Sequence, residues 1–230
     1  MSNKFRGVVP AMATPFSATD ESFDEARFAA LIDWYIESGV HGISVAGSQG
    51  EFFALEEKEH LRLLELAVKC IKGRVPLLAG TGRITTRETI RVTKAAEAMG
   101  VDLSMIITPF FVQPNQNELV EHVVAVAKQT KLPVMIYNNP PRTGVNVLPP
   151  TLKRCMEQAD NVVGIKDSSG DVTQSVEYKL ITGRKGILFS GRDTIALSLF
   201  MHGADGTISP AANVFPKLVI KMYDAFTKGD

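Results

Sequence analysis

A lysine closes the apolar run Val162-Val163-Gly164-Ile165-Lys166 and is followed by Asp167-Ser168-Ser169-Gly170. Such a run reads as a buried strand, and lysine is among the residues least often buried without a partner. One reading puts Lys166 at the strand's end with its amine reaching water. The other makes it a nucleophile, a desolvated side chain whose neutral amine attacks a ketone. A neighbouring carboxylate opposes neutralisation, but successive strand residues face opposite ways, which turns Asp167 towards the outside. Tyr137, in Ile-Tyr-Asn-Asn-Pro-Pro-Arg-Thr-Gly, is either a proton-relay phenol or a core tyrosine with a wet hydroxyl. Ser48 and Gln49, in Gly-Ser-Gln-Gly-Glu, bring a hydroxyl, an amide and backbone N–H groups that suit a small carboxylate. The same stretch also fits a capping box, with Ser48 as cap and Glu51 three residues on. Arg142 follows Pro140-Pro141 and is either a bidentate clamp for a second carboxylate or a solvated loop arginine.

These residues matter together only if the fold gathers them. Short apolar runs at 7–16, 42–47, 75–82, 103–109, 133–140, 162–167, 186–191 and 206–211 each stop at or beside Gly, Pro, Asp or Asn. They read as short buried parallel strands. Between them lie amphipathic stretches at about 23–38, 56–71, 85–100, 116–130, 149–159, 171–183, 193–203 and 213–227, with polar caps, acids early and Gly stops. Eight βα units in 230 residues predict an α/β fold of the (β/α)8 TIM-barrel type, one domain over residues 1–230 with no linker. In that fold the loops after the strands form the active rim. Ser48, Gln49, Tyr137, Arg142 and Lys166 all fall there, as do Thr14, Thr81 and the Ser-Gly-Arg-Asp stretch 190–193. A carbonyl-reactive lysine, a phenol and a carboxylate cradle describe a Schiff-base enzyme for a 2-oxo acid, pyruvate being the simplest.

Composition narrows the field. Lys plus Arg is 25 and Asp plus Glu is 25, so no basic excess points to nucleic acid or an anionic membrane. The four histidines are scattered, and Cys70 and Cys155 stand apart as core thiols of a reducing compartment, so no metal site and no cofactor is expected. The start, MSNKFRGVVPAM, lacks the order of a signal peptide, and no apolar run approaches the roughly 18 residues of a membrane span. A cytoplasmic protein follows as the expectation.

The motifs as a set resemble the dihydrodipicolinate synthase and N-acetylneuraminate lyase superfamily, the pyruvate-dependent class I aldolases. Gly-Ser-Gln-Gly-Glu looks like its GxxGE loop, Tyr137–Gly144 like its YNxPxRxG segment and Gly164–Gly170 like its Schiff-base segment. Phe-Ser-Gly-Arg-Asp and Gly-Ala-Asp-Gly-Thr-Ile-Ser-Pro-Ala-Ala-Asn resemble two further rim segments, and the likeness runs over the whole chain. It implies that Lys166 forms the imine, Tyr137 relays protons, Ser48 and Gln49 hold the pyruvate carboxylate, and Gly191 and Ile208 line the pyruvyl pocket. It implies that Arg142 binds a second substrate's carboxylate, as in the synthases, and that the protein is a homo-oligomer, dimer or tetramer. Three features depart from the pattern. Phe111 stands where members carry a tyrosine that reaches a neighbouring subunit's site, Gln49 replaces a hydroxyl residue, and members continue into a helical C-terminal extension where this chain stops at Asp230. Arg142 favours a dihydrodipicolinate synthase-like lyase. Phe111 and Gln49 favour a 2-keto-3-deoxy sugar-acid aldolase or dehydratase, or a hydroxyproline-pathway deaminase. A barrel that binds a 2-oxo acid without turning it over is the rival of another class. Lysine-inhibited synthases bind their effector with polar residues after the GxxGE loop and an Asn after the GTG turn. Phe52, Phe53 and Ile84 stand there instead, while His60 and Glu88 still match.

Overall fold

The computed structural model describes residues 4–183 and 186–230. Eight strands appear among them: β1 (Gly7–Pro10), β2 (Ile43–Val45), β3 (Leu77–Gly80), β4 (Leu103–Ile107), β5 (Val134–Asn138), β6 (Val162–Asp167), β7 (Ile187–Ser190) and β8 (Gly206–Ser209). The helices among them are α1 (Glu25–Glu37), α2 (Glu57–Ile71), α3 (Thr86–Met99), α4 (Gln116–Ala127), α5 (Pro140–Thr143), α6 (Pro149–Gln158), α7 (Val172–Thr182), α8 (Asp193–Met201) and α9 (Pro216–Lys228). All neighbouring strands are parallel, and β1 pairs with β8. The ring closes between β1 and β2 through a single bridge, Ala11 with Ser44, reinforced by His41 N–H to the Val8 carbonyl and Met12 N–H to the Ser44 carbonyl, both 2.9 Å. This is the (β/α)8 barrel that strict alternation predicts.

Local chemistry ends the elements where expected. Thr85 caps α3 by accepting the Glu88 N–H, and Gly100 stops it in the left-handed region at φ 94°. Asn115 and Glu118 form a reciprocal capping box on α4. Two expectations change. Ser48 does not cap α2: Ser48–Gly50 is a separate 3-10 turn, and Glu56 with Glu59 makes the capping box of α2. The loop after β5 winds into the one-turn α5, because Pro140 suits the first helical position.

Strand alternation divides the core in two. Val9, Leu78, Met105, Met135, Phe189 and Ile208 belong to the cluster that fills the barrel, while Ile106, Ile136, Ile165 and Leu188 pack outward under the helices. Strand β6 carries one irregularity that bears on the site. Val134 pairs with Val162 but Met135 pairs with Gly164, so Val163 is an extra, bulged residue. Gly164 sits at φ 156°, and a Cβ there would lie 1.9 Å from the Ile187 carbonyl oxygen, so only glycine lets β6 and β7 close at this point. Lys166 lies two residues beyond.

Two histidines are buried in this shell. His60 bonds the Gly80 carbonyl through Nε2 at 2.9 Å and receives the Arg83 guanidinium at Nδ1. His122 meets the Thr86 hydroxyl at Nδ1, 2.9 Å away, and its Nε2 is buried without a partner. Burial, aided by the Arg83 charge, pushes His60 down to about 4, and burial pushes His122 down to about 4. Unfolded histidines titrate near about 6.5. Below that pH the unfolded chain takes up protons that the folded one refuses. Stability present above about pH 6.5 is therefore lost as the pH falls towards about 4, by on the order of 3 kcal/mol per histidine. Urea midpoints should drop between about pH 7 and about pH 4.5, and the drop should shrink in His122→Gln; an unchanged slope in that variant would return His122 to a bystander.

Candidate active site

Lys166 and Tyr137 are partners in the β5–β6 ladder, both at the C-terminal ends of their strands. They are 3% and 5% exposed, so the amine does not run out to water. Lys166 Nζ lies 3.9 Å from the centre of the Tyr137 ring, a cation over an aromatic face. Burial works to raise the Tyr137 phenol's pKa, but the Lys166 charge and the Ser48 and Ser168 hydroxyls outweigh it and hold the phenol below its ordinary value. The phenol oxygen also accepts a hydrogen bond from Asn139 Nδ2 at 2.8 Å. Its proton is thereby left for the cavity side.

Asp167 faces the other way. It is fully buried and accepts from Asn138 Nδ2 (2.9 Å), the Ser169 N–H (3.1 Å) and the Ser169 and Ser175 hydroxyls (2.7 Å each). Four donors on the helix side thus meet its charge. The carboxylate adjacent in sequence to the lysine is spent on fixing the ends of β5 and β6.

A cavity of about 350 Å³ opens above Lys166, with Ser48, Gln49, Tyr137, Arg142 and Gly191 in its wall. A wider one of about 520 Å³ adjoins it, sharing Ser48, Gln49 and Arg142 and walled by Phe52, Phe53 and Phe110. The 3-10 turn that carries Ser48 and Gln49 is anchored by the Thr14 hydroxyl, which donates to the Gly50 carbonyl at 2.6 Å. The Arg142 side chain, exposed in α5, makes no hydrogen bond or ion pair with another described residue. A Cβ on Gly191 would lie 1.9 Å from Ser168 Oγ and 3.1 Å from Lys166 Cε, so the glycine keeps the space beside the lysine open. Ile208 is fully buried and pairs with Val9 across the β1–β8 ladder. Phe111 is 89% exposed at φ 72° and is in the wall of neither cavity.

Three polar wall residues carry no role in the sequence analysis: Asn139, Ser168 and Arg192. The period of two along β6 points to Ser168, two places after Lys166. Nothing local distinguishes Asn139 from Asn138, which turns outward to Asp167.

Comparison with known proteins finds similarity over nearly the whole chain. The model of the dihydrodipicolinate synthetase family matches residues 4–230. The 4-hydroxy-tetrahydrodipicolinate synthase of Thermodesulfovibrio yellowstonii is 39% identical over 226 residues, which is 98% of this chain and 77% of that protein. The crystal structure of dihydrodipicolinate synthase from Aquifex aeolicus superposes with a TM-score of 0.95 at 33% identity, over 98% of this chain and 76% of that one. The Acinetobacter baumannii enzyme, solved in complex with pyruvate, gives 0.94 at 36% identity, over 98% of this chain and 77% of that one. The chain therefore belongs to the dihydrodipicolinate synthetase family.

Proposed function

We propose that this protein is a class I lyase that joins Lys166 to pyruvate, or a related 2-oxo acid, as a Schiff base. The observation that carries the reading is the buried Lys166 amine held 3.9 Å from the Tyr137 ring centre beneath an open cavity. The neutral amine attacks the ketone carbon, the carbinolamine loses water, and the resulting imine acidifies the neighbouring carbon for aldol bond making or breaking, or for elimination. Each step moves a proton, and Tyr137 is the group placed to carry it. Ser48, Gln49 and the N–H groups of their turn are the cradle for the substrate carboxylate. Gly191 leaves room beside the lysine. Arg142 is the open cation for a second substrate. A homo-oligomer, dimer or tetramer, in the cytoplasm is part of the same reading and rests on the family. Borohydride reduction in the presence of pyruvate tests it: mass must be added at Lys166. Labelling of another lysine, or none on folded protein, would sink the mechanism.

Arg142→Ala should raise KM for a carboxylated acceptor by roughly 10- to 100-fold, the worth of a charge-assisted bidentate contact of about 1.5–3 kcal/mol. Saturation by pyruvate should shift far less. Equal losses for both would make Arg142 a structural residue.

L-Lysine should not regulate the protein. Phe52 is buried, and its carbonyl and the His60 ring already receive the Arg83 guanidinium. Apolar Phe52, Phe53 and Ile84 offer no hydrogen-bond or charge partner to a free lysine's ammonium and carboxylate. Millimolar L-lysine should therefore leave the melting temperature where it is. A dose-dependent rise with the L but not the D isomer would overturn this and favour the biosynthetic enzyme.

A further inference from the structure

The cavity above Lys166 carries charge of one sign. Arg142 reaches it from the loop after β5 and Arg192 from the loop after β7, and no Asp or Glu stands in its wall. The carboxylates close to Arg192 in the chain or beside its anchor are engaged elsewhere. Asp193 accepts from the Ser209 hydroxyl and from the Ala211 N–H at 2.9 Å. Asp171 caps α7 through the Gln174 N–H at 3.0 Å, and Asp167 is satisfied by its four donors behind the strand.

Arg192 is nonetheless fixed in place. Its Nε donates to the Ser168 carbonyl at 2.9 Å. Its guanidinium carbon packs over Gly170, 3.3 Å from where a Cβ would stand. The terminal nitrogens make no hydrogen bond or ion pair with another described residue. A guanidinium held by Nε with its outer edge open is arranged for an anion. The neighbouring Ser168 side chain, in the same wall, is only 5% exposed and its hydroxyl is turned to the Tyr137 phenol, so it does not compete for the guanidinium.

We propose that Arg192 is a specificity-determining residue that binds an anionic group at the far end of the substrate's carbon chain. The substrate class is then a 2-oxo acid whose tail ends in a carboxylate or a phosphate. Its 2-oxo end lies at Lys166 and the Ser48 turn, and its tail crosses the cavity towards β7. The proposal rests on the imine chemistry at Lys166.

Borohydride trapping at Lys166 reads it without knowledge of the natural acceptor. The two probes are 2-oxoadipate and 2-oxohexanoate, equal in carbon number and differing in the charged tail. The wild-type protein should half-saturate with the dicarboxylate at a concentration at least about tenfold lower, as a charge-assisted contact implies. Arg192→Ala should collapse that ratio towards unity, and Arg192→Lys should keep part of it, since lysine supplies the charge without the fork. A purely structural role for Arg192 would move both half-saturations together and leave the ratio alone. A phosphonate-tailed 2-oxo acid that binds more tightly than the dicarboxylate assigns the site to phosphate, and weaker binding assigns it to carboxylate. A wild-type ratio near one, or a ratio that survives Arg192→Ala, overturns the proposal. If pyruvate itself fails to label Lys166, the imine reading has failed instead, and thermal-shift titration with the same two acids then reads the Arg192 site directly, by the same ratio and the same two substitutions.

Discussion

Lys166→Ala should abolish covalent trapping of pyruvate while the protein stays folded. Trapping needs a primary amine that loses its proton in a site where the ketone can approach, and a side chain ending in a methyl group forms no imine. The fold should tolerate the change. Lys166 packs on the Tyr137 ring, and the ion-paired lysines and arginines lie elsewhere, so its removal strands no carboxylate. Asp167, next in sequence, keeps all four of its donors. Circular dichroism and a melting curve establish that the variant is folded, and mass spectrometry after reduction reads the adduct. Residual label on folded Lys166→Ala would place the reactive amine on another residue.

Tyr137→Phe should slow imine formation by roughly 10²–10⁴-fold, the usual worth of one positioned acid–base group. The ring that supports the Lys166 amine remains, so the loss isolates the hydroxyl. Asn139 Nδ2 loses its acceptor, an expected cost of about 1–3 kcal/mol if no water takes its place. The pH profile separates chemistry from packing. Because the phenol lies below its ordinary value, the wild-type rate should fall on the alkaline side before free tyrosine would titrate, as the phenol loses the proton it donates. In Tyr137→Phe that limb should vanish. A rate close to wild type, or an alkaline limb that persists unchanged, would make Tyr137 a core residue with a wet hydroxyl.

The barrel was legible in the chain because its signals are local. Apolar runs such as Leu103–Ile107, amphipathic stretches, the Thr85 cap and the Gly100 stop are each decided within a few residues. Alternation along β6 was enough to set Lys166 inward and Asp167 outward. Strand order then put Ser48, Gln49, Tyr137, Arg142, Lys166 and Gly191 on one cavity. What the chain could not disclose depends on register and on contacts between distant segments. The Val163 bulge exists only relative to β5, and the need for Gly164 only relative to Ile187. Ile208 is fully buried against Val9 only because β8 closes on β1, a pairing between the two ends of the chain. Asn138 and Asn139 are alike in sequence, yet one turns to Asp167 and the other to the Tyr137 hydroxyl. Arg192 and Arg142 stand 50 positions apart and become a pair only when β5, β6 and β7 bring their loops over the same lysine. The sequence alone determined which chemistry the rim could hold. Packing between strands decided which side chains are aimed at it.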